Sequence, residues 1–127
     1  MKKSILNILL QQTQRELLNH PEYYCFPHWT FILDDNDIVS VGMNRKKSPP
    51  IWLGYPSKGE STSKWHSELD AIYKLRKPLD SFTAINIRLN RKGEPKMSMP
   101  CKCCMKLLQV NRCKRVFFTT NDKWGQL

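Results

Sequence analysis

The chain has 127 residues, of which 40% are hydrophobic and 10% aromatic. This composition argues against a disordered chain, and the length predicts one domain, residues 1–127, around one core. The formal charge of +10 is uneven: residues 1–44 carry three basic and five acidic side chains, and residues 45–127 carry eighteen and six. No run approaches the roughly 20 apolar residues of a transmembrane helix, so we expect no membrane association. The positive charge of residues 45–127 predicts an anionic partner.

The first half of the chain is predicted to form a helix and a hairpin. Apolar residues recur at helical spacing over residues 3–19, which predicts an amphipathic helix. The β-rich runs 28–33 and 38–43 are joined by turn-forming residues, which predicts two antiparallel strands. Residues 44–64 contain prolines and glycines without periodicity, a pattern typical of a long functional loop.

The second half is predicted to contain a β-α-β unit. A helix over about 66–77 ends before Pro78, and a strand over 82–90, a helix over about 101–110 and a strand over 115–120 follow. The fold class is therefore α/β, with the order α-β-β-α-β-α-β and a mixed sheet whose third and fourth strands pair in parallel. Asn86 and Arg88 interrupt an apolar strand, which predicts a strand face in contact with solvent or another chain.

The five cysteines do not have the pattern of a disulfide framework. Their number is odd, and Cys101, Cys103 and Cys104 are crowded together. Such a cluster indicates metal binding or redox activity in a reducing compartment, so we expect a cytoplasmic protein.

Two short motifs at the predicted starts of the second and third helices point to a zinc site. Cys101 and Cys104 are three residues apart, so both thiols lie on one helix face. Together with the imidazole of His66 they offer three zinc ligands and leave a fourth position for water. Glu68 is then placed to take a proton from that water and pass it to a leaving amine.

Two alternatives remain for this cluster. Cys-x-x-Cys after a proline is also compatible with a redox motif. A closed structural zinc site would need a fourth protein ligand, for which Cys103 is the obvious candidate. On a helix, however, Cys103 is rotated by about 200° from Cys101 and about 100° from Cys104, away from the ligand face.

His-x-Glu combined with Pro-Cys-x-x-Cys is the pattern of zinc-dependent nucleobase deaminases. Residues 28–121 resemble the cytidine deaminase superfamily, in particular the phage-type CMP/dCMP deaminases. The resemblance is carried by the segments 41–44 (Val-Gly-Met-Asn), 65–72 (Trp-His-Ser-Glu-Leu-Asp-Ala-Ile), 99–104 (Met-Pro-Cys-Lys-Cys-Cys) and 114–120 (Lys-Arg-Val-Phe-Phe-Thr-Thr). It implies a three-layer α-β-α domain in which His66, Cys101 and Cys104 bind Zn²⁺ and Glu68 is the proton shuttle.

The resemblance also implies substrate contacts and an assembly. The amide of Asn44 would contact the nucleoside, and the backbone of Ser67 would touch the base. From the residues themselves, Trp65 can stack on a base or pack in a core, and Lys46 can reach a phosphate or remain solvated. The chain ends shortly after the fourth predicted strand, a shortened C-terminus relative to most members, so we expect a homo-oligomer whose neighbouring subunit completes the pocket.

Three functions follow as hypotheses. The first is hydrolytic deamination of a free cytosine (deoxy)nucleotide or nucleoside, with attack by a zinc-activated water, in the cytoplasm of the host cell if the protein is phage-encoded. The second is deamination of cytosine in single-stranded nucleic acid, favoured by the positive charge and the aromatic residues beside the motif. The third, of another class, is a non-catalytic zinc-stabilised binding domain.

Overall fold

A computed structural model describes residues 3–20, 27–45, 66–122 and 124–127. Within these ranges no helix has the length and apolar character needed to cross a membrane. The elements in chain order are α1 (Lys3–Asn19), β1 (His28–Asp34), β2 (Asp37–Met43), α2 (Ser67–Tyr73), β3 (Phe82–Leu89), β4 (Pro95–Lys96), α3 (Lys102–Val110), β5 (Cys113–Thr119) and β6 (Trp124–Gln126).

The strands form one mixed sheet in the order β2-β1-β3-β5-β6, and the short β4 pairs with the end of β3. β1 is antiparallel to both β2 and β3, which confirms the predicted hairpin. β3 and β5 are parallel, as the β-α-β pattern predicts, and β6 runs antiparallel to β5. The α/β class with a mixed sheet is therefore confirmed.

One face of the sheet packs against α1. Side chains alternate between the two faces of a strand, so every second residue of β1 and β3 faces this helix. The resulting cluster also takes in Trp124, which therefore lies on the sheet face opposite α2. Its buried members are Leu6, Leu9, Trp29, Phe31, Leu33, Ile85, Ile87, Leu89 and Phe117.

The other face of the sheet is covered by α2 and α3, which completes three layers. Ala71 of α2 and Leu108 of α3 pack there against the alternate residues of the same strands. The buried members of this second cluster are Ile32, Ala71, Phe82, Ala84, Leu108, Val116 and Phe118.

The predicted boundaries differ from the structure in three places. α2 ends at Tyr73, four residues before the predicted end, because the chain turns there and packs Leu75 and Leu79 against the second cluster. The short strands β4 and β6 are not predicted, because two or three residues containing proline or glycine carry no strand periodicity. β6 nevertheless extends the sheet beyond the last predicted strand.

The prediction that Asn86 and Arg88 mark a face of β3 in contact with solvent or another chain is wrong for Asn86. Asn86 is 0% exposed, and its neighbours on the same face, Phe82 and Ala84, are equally buried. This face carries a polar residue because the amide of Asn86 has hydrogen-bond partners inside the protein, among them a carboxylate of α2. Arg88, at the end of the strand, is partly exposed.

Gly42 allows β2 and α2 to approach each other closely. A Cβ atom at this position would collide with backbone atoms of Ser67 and Ala71, which cannot move as a flexible side chain can. The glycine in the 41–44 segment therefore has a steric role: it lets the first turn of α2 pack on the end of β2.

Replacing Gly42 with alanine is expected to lower the free energy of unfolding by at least about 1–3 kcal/mol, the usual cost of overpacking. The neighbouring substitution Val41→Ala, at an exposed position, serves as the control and should cost less than about 1 kcal/mol. Urea unfolding of the two variants measures the difference. Equal midpoints would mean that the contact between β2 and α2 is loose enough to accept a methyl group.

Candidate metal and catalytic site

The two sequence motifs occupy the starts of α2 and α3. His66 is the residue preceding α2 and Cys101 the residue preceding α3, and neither side chain caps its own helix. Cys104 lies in the first turn of α3 and is fully buried. The two helices are in contact, so residues 35 positions apart in sequence meet at one point.

His66, Cys101 and Cys104 form a group that could hold a metal ion. Their donor atoms all lie within 4.8 Å of one another. His66 Nδ1 is 3.3 Å from Cys104 Sγ and 3.7 Å from Cys101 Sγ. In a tetrahedral zinc site with Zn–S of about 2.3 Å and Zn–N of about 2.1 Å, neighbouring donors are separated by roughly 3.5–3.8 Å. The donor set and its spacing therefore fit zinc.

The thiol of Cys101 is easily deprotonated, as metal binding requires. A hydrogen bond with Cys104, together with one from His66, lowers the pKa of Cys101 to about 3. A thiolate is the form of cysteine that binds metal.

Cys103 and Cys113 do not belong to the donor group. Cys103 is half-buried and packs against the small cluster formed by Leu69 and Cys104. Burial raises the pKa of Cys113, which packs against the second core cluster.

Glu68 is a buried carboxylate with a polar contact on each oxygen. The side chain is 2% exposed. Asn86 Nδ2 donates a hydrogen bond to Oε2 at 2.8 Å, and Ser67 Oγ lies 3.1 Å from Oε1. These contacts hold the carboxylate two residues after His66, in the first turn of α2.

The contacts of Glu68 continue into the sheet. Thr30 of β1 and Asn86 of β3 are opposite each other in the strand register, and the Thr30 hydroxyl donates to Asn86 Oδ1 at 2.7 Å. Ser67 Oγ is 2.7 Å from Thr30 Oγ1. Because the proton of Thr30 is used on Asn86, the single hydroxyl proton of Ser67 is shared between Thr30 and Glu68.

A second buried carboxylate, Asp70, fixes the end of β2 to α2. It accepts a hydrogen bond from the backbone of Met43 at 2.9 Å. It also forms ion pairs with Arg45 at 2.7 Å and with Lys74 at 3.0 Å. Asp70 is 0% exposed, so these partners compensate a charge that would be costly to bury alone.

The predicted substrate-binding residues fall into two groups. Asn44 follows β2, and its Oδ1 accepts a hydrogen bond from the backbone of His28 at 3.1 Å, so the side chain links the two strands. Ser67 is fully buried at the start of α2. Trp65 and Lys46 lie outside the described residues.

His28 and Arg88 form the next pair along the same face of β1 and β3, beside Thr30 and Asn86. The Nε2 atom of His28 is buried and has no hydrogen-bond partner among the described residues. Burial lowers the pKa of His28, and the charges of Glu68 and Arg88 act on the same ring. The pair therefore adds a neutral imidazole and a cation at the edge of the site.

Thr30, Asn86 and Asp70 are residues of the site to which the sequence motifs alone assign no role. A polar residue at position 86 of an apolar strand predicts an external surface, whereas the structure buries it. The usable signal was the combination of a polar residue on β3 with a polar residue on β1, because antiparallel neighbours place such side chains opposite each other.

The three-layer α/β fold of this chain is similar to that of a solved structure. No protein-family model matches the sequence, and no curated protein matches it. Among solved structures the chain is similar to a crystal structure of dCMP deaminase from the cyanophage S-TIM5 in apo form, with a TM-score of 0.56 and 17% sequence identity. The similarity covers 93% of this chain and 84% of that one, and at this identity it is a likeness of fold.

Proposed function

We propose that the protein is a zinc-dependent hydrolase that deaminates cytosine in a nucleotide or nucleoside of the dCMP/CMP type. The observation that carries this proposal is the joint placement of a His/Cys/Cys group and the buried carboxylate of Glu68 at the starts of two touching helices. The cytidine deaminase-like fold supports it.

His66, Cys101 and Cys104 would hold the zinc ion. The distances between their donor atoms and the low pKa of Cys101 support this assignment. Zinc bound there would supply Lewis acidity and so lower the pKa of a coordinated water. With three protein ligands, the site would retain the open position that distinguishes a catalytic zinc from a structural one.

Glu68 would move the protons of the reaction. Water adds to C4 of cytosine, and Glu68 takes a proton from this water and delivers it to the ring nitrogen. Glu68 then takes the remaining proton of the hydroxyl added at C4 and passes it to the exocyclic amine. The C4–N bond breaks, ammonia leaves and the C4 carbonyl of uracil forms. A carboxylate acting at one atom must be held in position, and the two polar contacts of Glu68 support that role.

We assign the substrate contacts to Asn44, the backbone of Ser67, Trp65 and Lys46. Asn44 follows β2 and Ser67 begins α2, next to His66 and Glu68. The charge of residues 45–127 supports a phosphate-bearing substrate, because eighteen basic side chains stand against six acidic ones.

The same charge supports a polynucleotide as the second candidate substrate. Met97 and Met99, each about half exposed, lie within three residues before Pro100 and offer apolar surface near the Pro-Cys motif. A single strand would use both the positive charge and this surface, whereas a free nucleotide would need only one phosphate contact.

A substrate panel distinguishes these candidates. The zinc-loaded protein is incubated with cytidine, CMP, dCMP and a cytosine-containing single-stranded oligonucleotide. Deamination of the free compounds is measured by the loss of cytosine absorbance, and that of the oligonucleotide by sequencing. We expect turnover of dCMP or CMP that exceeds turnover of cytidine, because the basic part of the chain attracts the phosphate.

Two other outcomes would contradict the deamination of free dCMP or CMP. Reaction of the oligonucleotide alone would assign the protein to polynucleotide deamination. No reaction with any of the four, together with four protein ligands on zinc in X-ray absorption, would favour a non-catalytic zinc-stabilised binding domain.

A further inference from the structure

We infer that Asn86 is the positioning residue for Glu68, an inference that rests on the proposed function. Asn86 lies on β3, whereas the carboxylate lies on α2, so the bond between them crosses from the sheet to the helix layer. No sequence motif marks this residue, because it is 18 positions away from Glu68.

Both polar atoms of the Asn86 side chain have hydrogen-bond partners, and these partners suit only one orientation of the amide. Its Oδ1 accepts from the Thr30 hydroxyl at 2.7 Å, and its Nδ2 donates to Glu68 Oε2 at 2.8 Å and to the carbonyl of Ser98 at 3.0 Å. A flipped amide would place Oδ1 against the carboxylate of Glu68 and the carbonyl of Ser98, which are both acceptors. These two partners therefore fix which end of the amide faces Glu68.

Of the two donors to Glu68 in the described part of the chain, Asn86 is the one whose proton is not shared with another acceptor. The proton of Ser67 is shared between Glu68 and Thr30, as the contact of 2.7 Å between the two hydroxyls requires. By contrast, the two protons of Asn86 Nδ2 have one acceptor each, Glu68 and Ser98. Hence Asn86, rather than Ser67, fixes the rotation of the carboxylate.

The backbone of Asn86 is itself held by buried hydrogen bonds. The Ser98 hydroxyl donates to the backbone carbonyl of Asn86 at 2.9 Å and lies 2.8 Å from Thr119 Oγ1. Asn86, Ser98 and Thr119 are each at most 2% exposed. A carboxylate held from such a framework is presented to the substrate in one orientation, which efficient proton transfer requires.

The first test is kinetic and uses Asn86→Asp, which keeps the shape and the acceptor for Thr30 but replaces Nδ2 with an oxygen, so the N–H donors to Glu68 and to the Ser98 carbonyl are both lost. We expect kcat on the best substrate of the panel to fall by about 100-fold, because a positioned acid or base contributes about 10²–10⁴-fold. KM and zinc content should stay within about threefold, because a loss confined to the proton-transfer step lowers kcat alone.

Two further variants separate positioning from structural damage. Asn86→Ala removes the donor without adding a charge and should lower kcat similarly. Thr13→Ala removes another buried polar side chain, on α1 across the sheet, and should leave kcat unchanged. If both Asn86 variants bind zinc and retain the wild-type kcat, the inference is wrong.

The second test needs no activity. The side-chain amide of Asn86 is observed by ¹⁵N NMR in the wild type and in Glu68→Ala. We expect slow hydrogen exchange in the wild type, and in the variant a changed shift with faster exchange. An amide that does not respond to the loss of Glu68 would overturn the inference even if the Asn86 variants fail to fold. A wild type that is inactive on every substrate contradicts the proposed function instead.

Discussion

Replacing Glu68 with glutamine is expected to abolish deamination and to leave zinc binding intact. Glutamine cannot take up and release a proton at the reacting atoms, so kcat should fall by at least about 10³-fold, within the range known for acid–base groups. Zinc content should stay at the wild-type value, because His66, Cys101 and Cys104 are unchanged. Metal analysis and the rate of deamination on the same preparation measure both quantities.

The substitution Glu68→Gln should preserve the hydrogen bonds of the site. A glutamine at position 68 can turn its carbonyl toward Asn86 Nδ2 and its amide toward Ser67 Oγ, so both contacts of the carboxylate keep a partner. Unfolding should therefore occur near the wild-type temperature. Glu94→Gln, which changes an exposed glutamate on the β3–β4 turn, is the matched control and should leave both activity and zinc unchanged.

Activity that survives in Glu68→Gln would remove this residue from the mechanism. Loss of zinc from the variant would have a different meaning, namely that Glu68 supports the metal group rather than the proton transfer. The first result differs from the expected one in the rate of deamination, and the second differs from it in the zinc content.

The elements and the motif positions of this protein could be predicted largely from local patterns. The helix α1, the β1–β2 hairpin and the parallel pairing of β3 and β5 follow from periodicity and from the order of elements. Cys101 and Cys104 share one side of α3 because helical spacing requires it. That His66 lies next to both thiols is a tertiary fact, which the motif pair suggested and the contact between α2 and α3 provides.

The hydrogen-bond framework behind the motifs could not be predicted in the same way. Alternation along β3 separates Asn86 from Ile85 and Ile87, but it does not say which face a helix covers. The partners of Asn86 come from β1, α2 and the segment after β4, up to 56 residues away. A polar residue in a strand is compatible with solvent or with a buried partner, and only the folded arrangement distinguishes the two.

Zinc removal, or the substitution Cys104→Ser, is expected to destabilise the protein as well as inactivate it. The group of His66, Cys101 and Cys104, which could hold a metal ion, joins the start of α2 to the start of α3, and Cys104 is fully buried. A ligand present at 1,000 times its Kd stabilises the folded state by about 4 kcal/mol, and tight zinc binding should reach at least that value. For a chain of this size such a loss lowers Tm by roughly 10 °C or more.

Thermal unfolding with and without a chelator measures this effect. The wild-type Tm should fall with the chelator and recover when zinc is restored, whereas Cys104→Ser should have the low Tm in both conditions. Cys103→Ser, one position earlier on α3 and outside the donor group, should behave as the wild type. A Cys103→Ser protein that loses zinc would indicate four protein ligands and a closed site, which has no position for water and is incompatible with hydrolysis. The two cysteine variants thus measure, from adjacent positions on one helix, whether the zinc is structural or catalytic.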